Sequence, residues 1–443
     1  MLEQVDQLIH AEWIIPVVPE NLVYTNHTLV VNRGRIAAIL PTDQVASQYQ
    51  STQETKLPGH ALIPGLINTH THAAMALLRG LADDMPLMTW LNEHIWPAEA
   101  KWVSEEFIHD GSQMAIAEML LGGTTCFNDM YFFPDITGRV ANSAGIRAVL
   151  GLIAIDFPSA WASDGDDYLH KGLQVHDQFR TNPIIHTAFA PHAPYSVGNG
   201  ILERIRILAD ELEIPIHMHV HETHDEIVQG LQHHDTRPLA RLNELELLSP
   251  ALAAVHMTHL EANEIELFAA SGGHVVHCPE SNLKLASGFC PVAELMEAGI
   301  NVALGTDGAA SNNDLDMFSE MRSAALLAKG VANNASTLPA AKALSMATIN
   351  GARALGLQQE TGSLEPGKSA DMVAVDLNRI NTLPAYHPIS QLVYAAGREQ
   401  VTHVWVAGRP VVSAGSLTTL DTQQLLKRTD EWRERIFASD VDS

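Results

Sequence analysis

From residue 61 to about residue 306 the chain repeats one arrangement, a short apolar run followed by a longer stretch that is mostly helical in pattern. That repetition restricts the fold more than any other feature. Candidate strands lie at 61–70, 124–130, 147–156, 184–190, 214–221, 252–258, 274–278 and 301–306. Short β-branched runs separated by helical patterns are the signature of buried parallel strands joined by crossovers. The clearest helix is Ser104–Leu121, where Ser104 can cap the first turn and Glu105 and Glu106 suit its positive end. Eight such units predict an α/β fold, a closed TIM-like (β/α)8 barrel, whose chemistry belongs at the carboxyl ends of its strands.

The flanks read differently. Residues 5–60 carry short β-branched runs with a hairpin turn at Asn32-Arg33-Gly34-Arg35, and residues 370–376 and 401–412 are strand-like again. Neither end is long enough to bury a core alone. Together they predict a small β-sandwich built from residues 1–60 and 366–443 around a catalytic barrel at 61–365, with helices at Ser336–Leu355 and Leu420–Phe437.

Charge limits the partners. The 443 residues hold 26 Lys plus Arg against 52 Asp plus Glu, a formal charge of −26. A surface so acidic argues against nucleic acid and anionic membranes. No apolar run approaches the ~20 residues that span a bilayer. The start, Met1-Leu2-Glu3-Gln4-Val5-Asp6, lacks the basic and apolar regions of a signal peptide. Cys126, Cys278 and Cys290 form no C-x-x-C pair, which is cysteine usage for a reduced compartment. The expectation is a cytoplasmic protein.

Ligand-type residues recur where barrel chemistry requires them. The first strand ends in Pro64-Gly65-Leu66-Ile67-Asn68-Thr69-His70-Thr71-His72, and residues two apart share a strand face. His192 follows the fourth strand. The fifth carries His217, His219 and His221 on one face. The sixth ends in His256 with His259 nearby, the seventh runs into His277 and Asn282, and the eighth into Asp307. A catalytic divalent metal needs three or four protein ligands and an open position. His70 and His72 supply two and Asp307 the carboxylate, although a Thr-Asp-Gly aspartate also suits a plain turn. On the fifth strand His219 is the best candidate, because Glu222 stands three residues beyond it as a possible proton carrier. His256 suits orientation of water or stabilisation of charge, and equally a hydrogen-bonded core position.

These residues, read as Pro64-Gly-Leu-Ile-Asn-Thr-His70-Thr-His72, His219-x-x-Glu222-Thr, His256, Cys278-Pro-Glu-Ser-Asn282-Leu-Lys-Leu and Gly-Thr-Asp307-Gly, resemble the amidohydrolase superfamily in its mononuclear branch. Leu77-Leu78-Arg79-Gly80-Leu81-Ala82-Asp83-Asp84, Met88-Thr89-Trp90-Leu91 and Ile95-Trp96-Pro97-Ala98-Glu99 narrow the likeness to the methylthioadenosine/S-adenosylhomocysteine deaminases. The resemblance implies one divalent metal ion, usually zinc, on His70, His72, His219 and Asp307. It implies proton handling by Glu222, His256 and Asp307, a ribose contact from Glu99, and a purine contact from His192. Trp90 and Trp96 would wall the pocket, and as core aromatics they would read the same. A homo-oligomer, dimer or tetramer, is implied as well.

Triazine aminohydrolases and chlorohydrolases and guanine-type deaminases share the ligand set, but they bind no ribose. The chain departs from part of the family in one place. Relatives carry an arginine near the end of the third strand, whereas here Arg147 starts that strand and Gly151-Leu152 occupies the region. The expected substrates are therefore methylthioadenosine or adenosine ahead of S-adenosylhomocysteine with its charged tail.

Overall fold

The computed structural model describes residues 2–441. Eight parallel strands follow one another in chain order, each paired with the next. They are β1 (Leu66–Thr71), β2 (Thr124–Asp129), β3 (Arg147–Ala154), β4 (Ile185–Pro191), β5 (Ile216–Val220), β6 (Leu252–His256), β7 (His274–His277) and β8 (Asn301–Leu304). β1, β2, β3, β5 and β6 are buried throughout, as strands covered on both faces must be. The barrel closes between its ends. The Asp307 amide donates to the His70 carbonyl at 3.0 Å, and the Thr69 hydroxyl donates to the Leu304 carbonyl at 2.6 Å. Gly305 permits this approach, because a Cβ there would lie 2.7 Å from the His70 nitrogen.

The chain ends build one eight-stranded mixed sheet. Its order is Ser416–Leu417, Arg409–Ser413, Val401–Val406, Met372–Asp376, Glu54–Pro64, Gln7–Ile14, Tyr24–Asn32 and Arg35–Pro41. The hairpin turn expected at Arg33-Gly34 has φ of 53° and 73°, the left-handed pair that a two-residue hairpin favours. The run Ala61-Leu62-Ile63, read from sequence as the start of the first barrel strand, belongs instead to this sheet and pairs with Met372–Asp376. The barrel strand begins only after Gly65.

The helix at Glu105–Leu121 is capped as expected, with the Ser104 hydroxyl accepting from the Phe107 amide. The helical stretch expected at Ser336–Leu355 is broken into Ala340–Met346 and Ile349–Ala354. The break has a cause in the barrel: the Ala347 carbonyl leaves the helix ladder to accept from the Ile67 amide of β1 at 2.8 Å. Between β1 and Glu105–Leu121 a helical segment crosses the carboxyl end of the barrel. It comprises Leu87–Thr89, a π-helical turn at Trp90–Ile95, and Trp96–Trp102. No helix among the described residues is long and apolar enough to cross a membrane.

Candidate active site

Strand periodicity turns His70 of β1 and His219 of β5 toward the barrel axis, and their Nε2 atoms lie 3.1 Å apart. Asp307, three residues beyond β8, brings Oδ1 to 3.2 Å from His70 Nε2 and 3.3 Å from His72 Nε2. These contacts gather the four side chains singled out in the sequence as metal ligands around His70. The ligand atoms of His70, His72 and His219 form a set able to hold a metal ion, and those of His70, His256 and Asp307 form an overlapping one.

Neighbouring groups fix how each ligand faces that cluster. The Met130 carbonyl accepts from His72 Nδ1 at 2.5 Å, and the His192 carbonyl accepts from His219 Nδ1 at 2.8 Å. With each Nδ1 engaged in this way, Nε2 is the nitrogen turned toward the cluster. His70 Nδ1 lies 3.1 Å from His217 Nε2. Ser281 and Ser311 donate to Asp307 Oδ2 at 2.7 and 3.0 Å, and the Gly308 amide donates to Oδ1 at 2.7 Å. Such outer partners orient ligands in metal sites generally.

The electrostatics fit a cation. Burial would raise the Asp307 carboxyl, yet hydrogen bonds from His70 and His72 hold it well below its ordinary value. Burial also opposes charge on His72, but the hydrogen bond and charge of Asp307 raise it to about 9. Burial brings His70 down to about 4, and burial with neighbouring imidazoles takes His219 well below its usual range. A carboxylate beside inward-facing imidazole nitrogens is a donor set that suits a divalent cation.

The proton-handling candidates stand beside this cluster. Glu222 Oε2 is 3.7 Å from His256 Nε2, and burial raises the Glu222 carboxyl. His256 Nδ1 donates to Asn282 Oδ1 at 2.8 Å, which leaves Nε2 facing Glu222 and the pocket. The carboxylate of Glu226 accepts from the His221 and Glu222 amides at 2.9 and 2.8 Å. His221, His256 and Asp307 all have left-handed backbones, with φ of 54°, 74° and 64°. Non-glycine residues adopt that region at a cost and tend to do so where a site needs it.

One pocket gathers the expected substrate contacts. It is lined by His72, Glu99, Trp90, Trp96, His192, His219, Glu222, His256 and Asp307. Trp90 is buried and donates its indole N–H to the Ala82 carbonyl, so it serves packing and pocket wall together. The pocket continues outward over Leu87, Leu91, Ile153, Ile155 and Phe157. Arg147 is not part of it. It sits at the opposite end of β3, buried against Asp371 at 2.9 Å.

Several residues escaped sequence reading. Ser281, Ser311, Tyr131, Tyr195 and Glu226 carry no spacing signal, although Ser281 adjoins Asn282. The histidines left undecided now have places. His217 backs His70, while His221 accepts from the Leu239 amide at 3.1 Å and faces the His259 carbonyl. The His259 ring faces the Ser287 carbonyl at 2.7 Å, and His277 is buried in β7.

Comparison with known proteins agrees with this geometry. The sequence profile of the amidohydrolase family matches residues 61–411. A 5-methylthioadenosine/S-adenosylhomocysteine deaminase of Teredinibacter turnerae is 51% identical over 98% of each chain. A protein of the same name from Saccharophagus degradans is 50% identical over 98% of this chain and 97% of its own. The crystal structure of an adenosine deaminase from Xanthomonas campestris with bound zinc superposes with a TM-score of 0.98. It is 52% identical and covers 99% of this chain and 100% of that one.

Proposed function

The chain belongs to the amidohydrolase family, and from that premise we propose that it is a hydrolytic deaminase of adenine nucleosides. It converts methylthioadenosine, S-adenosylhomocysteine or adenosine to the inosine analogue and ammonia. One observation carries the reading: Glu99 shares a pocket with the metal-binding donors and with Glu222. A carboxylate accepts two hydrogen bonds at once, which suits a vicinal diol. A triazine or a free base has no such diol and leaves Glu99 without a task.

The cofactor is one divalent metal ion, zinc, held by His70, His72, His219 and Asp307. The chemistry it supplies when bound is the activation of water at neutral pH. The rest falls to the chain. Glu99 holds the ribose and His192 the purine, and Trp90 closes the wall. Glu222, whose carboxyl burial keeps protonated to higher pH, gives its proton to the ring nitrogen beside the amine-bearing carbon. His256 Nε2, oriented through Asn282, takes the proton of the attacking water together with Asp307. The ring carbon exchanges its amine for oxygen, and ammonia leaves.

The outer pocket supports a ranking. Its lining holds neither lysine nor arginine, and its far wall is aliphatic and aromatic. A methylthio group gains by burial there, whereas the charged tail of S-adenosylhomocysteine finds no partner. Methylthioadenosine is expected to exceed S-adenosylhomocysteine in kcat/KM by at least ~10-fold.

The test is loss of the adenine ultraviolet band with release of ammonia, run on methylthioadenosine, adenosine, S-adenosylhomocysteine and an aminotriazine in parallel. Silence on every nucleoside with turnover of the triazine would leave only the family assignment standing. A cytoplasmic location belongs to the same reading, supported by three free, buried cysteines. So does a homo-oligomer, dimer or tetramer, for which exposed Ile380, Leu383 and Tyr386 offer apolar surface. Light scattering of the purified protein measures that mass.

A further inference from the structure

Two consecutive residues after β2 hold the two ends of the pocket. The Met130 carbonyl accepts from His72 Nδ1, as described above. The next residue, Tyr131, donates its hydroxyl to Glu99 Oε1 at 2.6 Å. Tyr131 is 4% exposed, and its ring centroid lies 6.3 Å from that of His72. It thus fills the space between the reacting centre and the carboxylate.

Glu99 itself stands on Trp96–Trp102, outside the barrel and behind the π-helical turn. Tyr131 is the sole hydrogen-bond partner of its carboxylate among the described residues, and the carboxylate forms no ion pair there. The torsion that rotates a Glu carboxylate is broad and weakly restrained. A single donor on Oε1 therefore decides where Oε2 points.

We propose that Tyr131 is a specificity-determining residue: by holding Oε1 of Glu99 it presents Oε2 to a vicinal diol, at a distance from the reacting centre set by the end of β2. This rests on the reading of Glu99 as the diol contact. Tyr131 acts through Glu99 and touches no reacting atom. Its loss should therefore weaken recognition of ribose hydroxyls and appear in KM more than in kcat. A hydrogen bond to a carboxylate is among the stronger kind, and a loss of about 10-fold in diol discrimination is the expected scale.

The experiment compares kcat/KM for adenosine with that for 2′,3′-dideoxyadenosine. It uses the metal-loaded full chain, the variants Tyr131→Phe and Glu99→Gln, and the double variant. Phenylalanine keeps the ring and removes only the donor, and thermal melting verifies the fold. The expected result is an adenosine-to-dideoxyadenosine ratio about 10-fold lower in Tyr131→Phe. In the Glu99→Gln background the same exchange should change the ratio by less than ~2-fold, since coupled residues are not additive. A native ratio in Tyr131→Phe beside a lowered one in Glu99→Gln overturns the proposal and leaves Glu99 as the diol contact. So does full additivity in the double variant. A native ratio in Glu99→Gln overturns the reading of Glu99 itself, and the role of Tyr131 with it.

Discussion

Glu222 is held through its backbone, while its carboxyl, with the Ser287 hydroxyl 3.5 Å from Oε1, faces the pocket. Glu226 receives its amide, and the Thr258 hydroxyl donates to its carbonyl at 2.7 Å. Replacement by glutamine keeps size and backbone while removing the transferable proton. Glu222→Gln is expected to retain its metal, measured by elemental analysis, and to lose at least ~100-fold in turnover, the scale of a positioned proton donor. Near-normal turnover in a folded, metal-loaded sample would remove Glu222 from proton transfer. At this scale the sequence was legible where one strand sets a period. His70 and His72 stand two apart, and Glu222 stands three beyond His219, so local geometry announces them. Ser281 and Tyr131 were hidden for the opposite reason. They bond to Asp307 and Glu99 on other elements, at separations of 26 and 32 positions, and no pattern along the chain links such pairs.

Among elements, the informative residue is Arg147 at the start of β3. Its guanidinium bonds Asp371 and the Ser369 hydroxyl, which lie just before the small-sheet strand Met372–Asp376, and the Pro183 carbonyl ahead of β4. It clamps the small sheet to the barrel floor. Both side chains are almost fully buried, so breaking the pair strands a charge. Arg147→Met is expected to lower stability by ~3–5 kcal/mol near neutral pH. The pH dependence gives the sign. Burial pushes Asp371 up, but the charge and hydrogen bonds of Arg147 outweigh it and hold the carboxyl low. A depressed carboxyl contributes stability above its unfolded value of ~3.9 and loses it as pH falls through the folded one. In the variant burial is opposed only by the Ala407 amide and the Ser369 hydroxyl, so the folded value rises and the carboxylate contributes less stability above ~3.9. The deficit should therefore widen as pH rises from the acid range through about 4 in denaturant titrations. A constant deficit across that window would mean that the pair carries no net charge coupling. The elements misread from sequence share one cause, which is that tertiary partners decide them. Residues 61–63 are as apolar as any barrel strand, but Met372–Asp376 claims them. The break at Ala347 is set by Ile67, some 280 positions earlier in the chain.

Across the whole molecule, the proposed ligands come from β1 and the residue after it, from β5 and from the loop after β8, and β1 and β8 are the strands whose meeting closes the barrel. A bound cation is thus a cross-link at the seam, and anything that binds the folded state alone stabilises it by mass action. Closure does not depend on it, because the Asp307 amide and the Thr69 hydroxyl bridge the same seam to His70 and Leu304. Chelation should therefore abolish deamination and lower the melting temperature while leaving the far-ultraviolet dichroism intact. Returning zinc should restore both activity and melting temperature. Above the dissociation constant each tenfold rise in free zinc should add ~1.4 kcal/mol, a slope that one site produces and a loose set of surface histidines does not. Replacing His70 and His72 together by alanine should flatten that slope. If the stripped protein melted where the loaded one does, the four donors would not share one ion, and the barrel seam would have to be explained by its hydrogen bonds alone.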